Sequence, residues 1–151
     1  MVASLIMLHL YDKIPTESTP IIKNKLNKLD KLGLAKVVLR LPLVKLYHVG
    51  LVFWVGSVIL GIFGVGRFMI GDRILGILRA LLFVLSYCTL VSLPLINHLL
   101  PELELLPMVL TIVGYSGLVL VGLWWIADIV VITSTVKKKN LNKLLMLFQL
   151  Q

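Results

Sequence analysis

The sequence predicts an all-α integral membrane protein with about three transmembrane helices, preceded by a basic amphipathic helix at the membrane interface. Of the 151 residues, 59% are hydrophobic and the mean hydropathy is +1.02, whereas soluble domains contain about 45–50% apolar residues. Charged residues make up 15% of the chain and cluster around long apolar runs, as in membrane proteins. A buried soluble core is the less favoured alternative, because helices that are apolar on every side at these lengths have little to face except lipid.

The charge distribution divides the chain into three predicted regions. Residues 1–45 form a basic amphipathic region, residues 46–135 a transmembrane domain, and residues 136–151 a basic C-terminal tail. In the first region, we expect a helix with Thr19 as its N-cap and Pro20 at its first position. Its apolar residues recur on one face and its lysines lie largely off that face. This pattern is typical of a helix in the interface plane, or of a helix packed on a partner protein.

Three apolar runs are candidates for membrane crossings. The runs 47–66, 74–96 and 108–135 can each cross a hydrocarbon layer of ~30 Å. The first is rich in Gly, which lets a neighbouring backbone approach closely in lipid. The third is longer than the layer is thick, so it should tilt or protrude. Three crossings leave basic residues on both sides of the membrane, so the charge pattern does not set the orientation. Two or four crossings remain alternatives.

Asp128 is a carboxylate inside the third apolar run, GLVLVGLWWIADIVVI. A lone Asp at the centre of a membrane helix costs about 2.5–3.5 kcal/mol on insertion scales. Asp128 precedes Lys137 by 9 residues and Arg79 follows Arg73 by 6, which places both charges at a similar depth. We therefore expect Asp128 to pair with Arg79, or with Arg67 as second choice, because a planar guanidinium can bind both carboxylate oxygens. Snorkelling of Asp128 to the interface and a proton or ion relay are the alternatives.

Two stretches together, GIFGVGRFMIGDRILGILRALL and GLWWIADIVVI, resemble the two-transmembrane (TM-two) domain family. That family combines a glycine-rich first helix, a short turn with Arg-Phe, and a second helical section with Trp and Asp. The matching residues are Gly61, Gly64, Arg67, Phe68, Gly71 and Gly76 in the first stretch and Trp125 and Asp128 in the second. The chain resembles a divergent member, with a long insertion at 83–116 between the two halves. The resemblance implies a membrane scaffold more than an enzyme.

The basic residues indicate lipid more than nucleic acid as a partner. The net charge is +8, but no aromatic residues interleave with the lysines as a nucleic-acid stacking surface requires. Anionic phospholipid head groups, or an acidic partner surface, match this pattern better. We expect Lys137, Lys138 and Lys139 to contact phosphate head groups, with plain solvation as the alternative.

The remaining candidates for chemistry are weak. His98, Glu102 and Glu104 could bind a metal, but Pro101 interrupts their spacing and a solvated loop is favoured. The three tryptophans are better explained as interface anchors or packing groups than as a stacking site for a quinone or pigment. The sequence contains no phosphate-binding loop, nucleophile–base pair or haem motif. We therefore expect no catalysis, no cofactor, no metal and no small-molecule substrate.

These observations favour a non-catalytic accessory subunit that packs against partner helices and lipid in a multi-subunit membrane complex. A respiratory or ATP synthase assembly of the mitochondrial inner membrane is the expected setting. Two alternatives stay open: a small ion or proton channel or carrier that uses Asp128, and a membrane signalling regulator that acts through partner helices.

Overall fold

The computed structural model describes residues 2–103 and 105–149, and over these residues the chain is all-helical, without strands. The helices, in order, are α1 (Val2–Leu10), α2 (Thr19–Lys28), α3 (Lys31–Arg40), α4 (Val49–Leu51, continuing as a π-helix over Val52–Ile59), α5 (Val65–Met69), α6 (Arg73–Leu99) and α7 (Leu105–Gln149). Short 3-10 turns lie at Tyr11–Lys13, Thr16–Ser18, Leu41–Val44 and Gly61–Phe63. The chain forms two compact units. The terminal unit comprises Met1–Val52 and Val131–Gln151, and the central unit comprises Phe53–Val130.

Three helical stretches of the described chain are long and apolar enough to cross a membrane: Lys31–Ile59, Arg73–Leu99 and Leu105–Gln149. The prediction of an all-α chain with three such helices is thereby confirmed. In the most apolar window of each stretch, 17% of the residues are buried. The hydrophobic side chains of these helices therefore lie mostly on the surface of the molecule, where a soluble protein rarely exposes contiguous apolar area.

The prediction of one continuous helix over 47–66 is wrong. The helix that starts at Val49 ends at Ile59, and the chain then turns through Gly61–Phe63 into the short helix α5. The last turns of α4 are wide, since the Leu60 N–H donates to the Val55 carbonyl five residues back at 3.1 Å. Helices with this hydrogen-bond pattern are rare and usually mark a local adjustment.

The small residues of this run explain the reversal. A Cβ built on Gly56 would lie 2.7 Å from the Cα of Gly66, so the two backbones are in direct contact. Gly64 has φ +74, a left-handed conformation that glycine adopts without the penalty of a side chain. The glycines of this run therefore let it fold back on itself, and Gly61 and Gly64 also make the predicted close contacts with α7 and α6.

The core of the terminal unit is formed by α1, α2, α3 and the last part of α7. Its buried residues are Ile6, Leu10, Ile14, Ile22, Leu26, Val37, Leu144 and Leu147. Where one helix contributes two of them, as α1, α2 and α7 do, the two lie three or four positions apart and therefore on one face. The predicted basic tail, 136–151, is helical as far as Gln149 and contributes two of these residues. The hydrophobic spacing continues beyond the lysines, and that spacing extends the helix.

The predicted amphipathic helix is divided in two. α2 ends at Lys28 and α3 begins at Lys31, with Asp30 as N-cap, because the Asp30 Oδ1 accepts a hydrogen bond of 2.7 Å from the Gly33 N–H. Thr19 is the first residue of α2 rather than its N-cap, whereas Pro20 does lie in the first turn. Hydrogen bonds between neighbouring residues therefore satisfy backbone groups at the break, including the Gly33 N–H and the Leu26 carbonyl.

In the central unit, α6 and α7 approach closely at small residues. A Cβ built on Gly114 would lie 2.6 Å from the Leu90 side chain, and one on Gly117 would lie 2.0 Å from the Ser86 Oγ. The loop between the two helices is shorter than the sequence predicts, because α6 continues through Pro94 to Leu99. Close backbone approach at small residues is a usual way for helices to associate in lipid.

Candidate functional site

A buried charge cluster in the central unit is the candidate functional site. α7 presents Asp128, α6 presents Arg79, and α5 presents Arg67, and both guanidinium groups form ion pairs with the Asp128 carboxylate. The exposed fractions of the three side chains are 6% for Asp128, 1% for Arg79 and 13% for Arg67. The structure thus brings together the carboxylate and both of its expected partners, although the sequence offered them as alternatives.

Both guanidinium groups donate to the Asp128 carboxylate. The Arg79 Nη2 donates to Oδ2, and the Arg67 Nη2 donates to Oδ1. The Arg67 Nε lies between the two oxygens, 3.2 Å from Oδ1 and 3.1 Å from Oδ2. Because charge-assisted hydrogen bonds of this kind are the strongest in proteins, the carboxylate is held in one orientation.

Arg79 also fixes the turn that follows α4. Its Nη1 donates to the Gly61 carbonyl at 2.9 Å, and its guanidinium carbon lies 5.0 Å from the centre of the Trp124 ring. The Arg79 Nε is buried without a hydrogen-bond partner. The same Gly61 carbonyl accepts a hydrogen bond of 2.9 Å from the Gly64 N–H within the turn. Arg79 therefore joins the carboxylate on α7 to the chain reversal.

Asp72 completes the charge balance. The Arg67 Nη1 lies 3.4 Å from the Asp72 Oδ2, and the Asp72 side chain is 25% exposed. Two guanidinium groups thus face two carboxylates. The hydrogen bond to Asp128 raises the pKa of Arg67, which lies between the first two apolar stretches. Arg67 therefore keeps its charge at every physiological pH, and the cluster is neutral as a whole.

The residues that resemble the TM-two family surround this cluster. A Cβ built on Gly61 would lie 2.6 Å from the Trp125 indole ring, and the Trp125 Nε1 donates to the Ser57 carbonyl at 2.6 Å. A Cβ on Gly64 would lie 2.9 Å from the Gly76 carbonyl oxygen. The remaining matches also lie here: a Cβ on Gly76 would lie 2.9 Å from the Phe68 ring, and Gly71 has φ +82. These residues pack the reversal against α6 and α7.

The sequence did not predict the parts played by Asp72 and by the backbone carbonyls. Asp72 was not singled out from the sequence, although it lies five positions from Arg67. A second residue missed from the sequence is Asn140 in the terminal unit, which is fully buried. A signal for it was present, since Ile132, Val136, Asn140 and Leu144 follow one another at four-residue intervals, the spacing of one helical face.

The other predicted site residues lie elsewhere. Lys137, Lys138 and Lys139 lie on α7 in the terminal unit, where Lys138 is exposed and the other two are partly covered. Lys137 and Lys138 line a pocket that also contains Glu17. Among the described residues, no group of three His, Cys, Asp or Glu side chains could hold a metal, and Glu104 lies outside the described residues.

The arrangement around Asp128 restrains the chain. Both oxygens of the carboxylate accept hydrogen bonds from cations that are themselves anchored to Gly61 and Asp72. Both guanidinium groups thus hold the Asp128 carboxylate against α5 and α6. The resemblance to the TM-two family remains a prediction. Comparison of the chain with protein-family models, with curated proteins and with solved structures finds no match.

Proposed function

We propose that this protein is a non-catalytic accessory subunit that packs against partner helices and lipid in a multi-subunit membrane complex. The observation that supports this most directly is the neutral cluster of Arg67, Asp72, Arg79 and Asp128, which ties α5, α6 and α7 together. Breaking such a pair by removing one partner is costly, because an uncompensated charge is left behind. We infer that the cluster fixes the relative positions of these helices within the central unit.

The surfaces of α6 and α7 support a role in packing. Large apolar side chains are exposed along both helices. On α6 these include Leu78, Leu81, Leu85 and Leu95, and on α7 they include Val119, Leu123, Ile126 and Val130. In lipid, such surfaces meet acyl chains or the helices of neighbouring subunits. We propose that the internal cluster gives these surfaces a fixed geometry for partner helices.

Anionic phospholipids are the second proposed partner. Lys137, Lys138 and Lys139 follow the last strongly apolar part of α7, where head groups would lie. Membranes that carry anionic lipids attract basic residues placed just outside the apolar helix. The resemblance to the TM-two family supports the same proposal of a scaffold.

The proposed setting is a respiratory or ATP synthase assembly of the mitochondrial inner membrane. Membrane fractionation tests the location, and solubilisation in a mild detergent followed by affinity purification of the tagged full-length chain tests the assembly. We expect near-stoichiometric recovery with a large complex. Recovery of a substoichiometric receptor would instead favour a signalling regulator, and recovery in a fraction without membranes would contradict the proposal.

A channel or carrier that uses Asp128 is the main alternative. To distinguish a channel or carrier from an accessory subunit, the purified protein is placed in liposomes. Proton or ion flux is then measured for the wild type and for Asp128→Asn. An accessory subunit gives no flux above protein-free liposomes. Flux that is present in the wild type and lost in Asp128→Asn would overturn the accessory role.

A further inference from the structure

A basic pocket in the terminal unit has no part in the function proposed above. It has a volume of about 400 Å³ and is lined by His9, Lys13, Leu41, Pro42, Lys45 and Leu46. Three of these six side chains are basic, three are apolar, and none is acidic. Asp12 lines a neighbouring pocket with His9, Lys13 and His48 and is not among the residues that line this one.

A buried polar side chain holds the backbone of Lys13 and of Tyr47, which follows the pocket residue Leu46. Asn140 is fully buried, and its Nδ2 donates to the Lys13 carbonyl and to the Tyr47 carbonyl, each at 3.0 Å. The Tyr47 N–H donates to the Asn140 Oδ1 at 2.8 Å. One side chain therefore joins two segments that are far apart in sequence and that carry residues of the pocket. A site whose supporting shell is satisfied in this way is preorganised.

Lys45 is held in an unusual conformation beside this contact. Its φ is +45, and it is the only residue other than glycine with a positive φ among those that the structure describes. The Lys143 Nζ donates to the Lys45 carbonyl at 2.9 Å and lies 3.7 Å from the centre of the Tyr47 ring. Side-chain-bearing residues in the left-handed region are strained and concentrate at functional sites.

The nitrogen groups of the pocket form a set of possible donors to an anion. The Lys13 Nζ forms a hydrogen bond of 2.9 Å with the His9 Nε2, and Lys45 lines the same pocket. A phosphate group would accept hydrogen bonds from several of these donors at once.

The apolar half of the pocket suits a phosphate compound that carries acyl chains. Leu41, Pro42 and Leu46 line it, and the neighbouring Leu39 and Leu43 are 75% and 77% exposed. The apolar helix α4 starts at Val49, directly after this segment. Basic groups beside exposed leucines at the start of an apolar helix match the boundary between head groups and acyl chains.

We propose that this pocket binds the phosphate of an anionic phospholipid through Lys13, Lys45 and His9, while Leu39, Leu41 and Leu43 contact its acyl chains. The site is separate from Lys137, Lys138 and Lys139. The proposal rests on the membrane location proposed above and adds a lipid-selective site to it.

Native mass spectrometry of the detergent-purified full-length chain tests the site. The chain is titrated with phosphatidylglycerol or with phosphatidylcholine, and the variant is Lys13→Gln with Lys45→Gln. The matched control, Lys25→Gln with Lys28→Gln, removes the same charge from exposed positions on α2. We expect the wild type and the control to prefer phosphatidylglycerol. The pocket variant should lose about 30-fold in that affinity, since each lysine near an anionic lipid contributes about fivefold.

Two results would overturn the proposal. One is an equal loss in the control, which would mean that net charge alone attracts the lipid. The other is full displacement of phosphatidylglycerol by millimolar inorganic phosphate, which would mean that the apolar half contributes nothing. The variant Lys13→Arg with Lys45→Arg keeps the charges and should keep the selectivity, which separates loss of the site from loss of folding. Alkaline extraction of membranes tests the membrane location independently of all these variants.

Discussion

Arg79 and Asp128 form a buried ion pair inside the central unit, although 49 positions separate them in the sequence. Arg79 is the most deeply buried charged side chain among the described residues, and its guanidinium also binds the Gly61 carbonyl. A single residue thus pairs with the carboxylate on α7 and binds a carbonyl of the turn after α4. The following predictions concern this pair, the turn and the terminal unit.

Removal of the Asp128 carboxylate alone should destabilise the protein more than removal of Arg79 and Asp128 together. Asp128→Leu leaves Arg79 buried without a carboxylate, and loss of one partner of a buried pair costs about 3–5 kcal/mol. The double variant Arg79→Met with Asp128→Leu leaves Arg67 with Asp72 and should recover much of that loss. Thermal unfolding in detergent, followed by circular dichroism, measures both. A double variant no more stable than the single one would show that the cluster does not act as a neutral unit.

The turn at Gly64 should not tolerate a side chain. Gly64→Ala places a methyl group in a left-handed conformation, which costs about 1–3 kcal/mol, and brings it within 2.9 Å of the Gly76 carbonyl oxygen. Gly122→Ala is the matched control, since a Cβ there meets no atom within 4 Å and alanine favours a helix. We expect a lower melting temperature for Gly64→Ala and an unchanged or higher one for Gly122→Ala. Equal melting temperatures would contradict the observed turn.

Asn140 should be essential to the terminal unit. Asn140→Ala leaves the Tyr47 N–H and the carbonyls of Tyr47 and Lys13 without their partner, and each buried polar group left unpaired costs about 1–3 kcal/mol. Asn142→Ala removes an exposed amide from the same helix and should have little effect. Limited proteolysis compares the variants, with faster cleavage of Asn140→Ala expected at residues 11–18 and 41–48. Equal cleavage rates would show that the buried amide is dispensable.

The contribution of Arg67 to stability should not depend on pH near neutrality. The pKa of Arg67 is raised by its hydrogen bond to Asp128, so its stabilising effect is fully present below its ordinary pKa and is lost only as the pH rises through the still higher value in the folded protein. The difference in melting temperature between the wild type and Arg67→Gln should therefore be the same at pH 6 and at pH 9. A difference that shrinks at pH 9 would mean that the contact does not hold Arg67 in its charged form.

Hydrophobic periodicity and charge placement were sufficient to predict an all-helical chain with three apolar helices of membrane-spanning length. They also drew attention to Asp128, Arg79 and Arg67, because charged residues are conspicuous in an apolar run. Periodicity is a local property, so it could predict where helices form. It could not show that the run 47–66 turns back on itself, because glycines suit both a helix contact and a reversal.

The sequence by itself determined that Asp128 needs a cation, because an isolated carboxylate is unfavourable where water is absent. Only the tertiary structure decided that two cations share it. That outcome depends on the approach of α5, α6 and α7, which brings Arg67 and Arg79 to opposite oxygens of one carboxylate. In the same way, the four-residue spacing of Ile132, Val136, Asn140 and Leu144 places these residues on one face of a helix. The groups that bind the Asn140 amide lie in distant segments, which only folding brings near. Contacts between distant segments depend on packing geometry, which no local pattern of residues encodes.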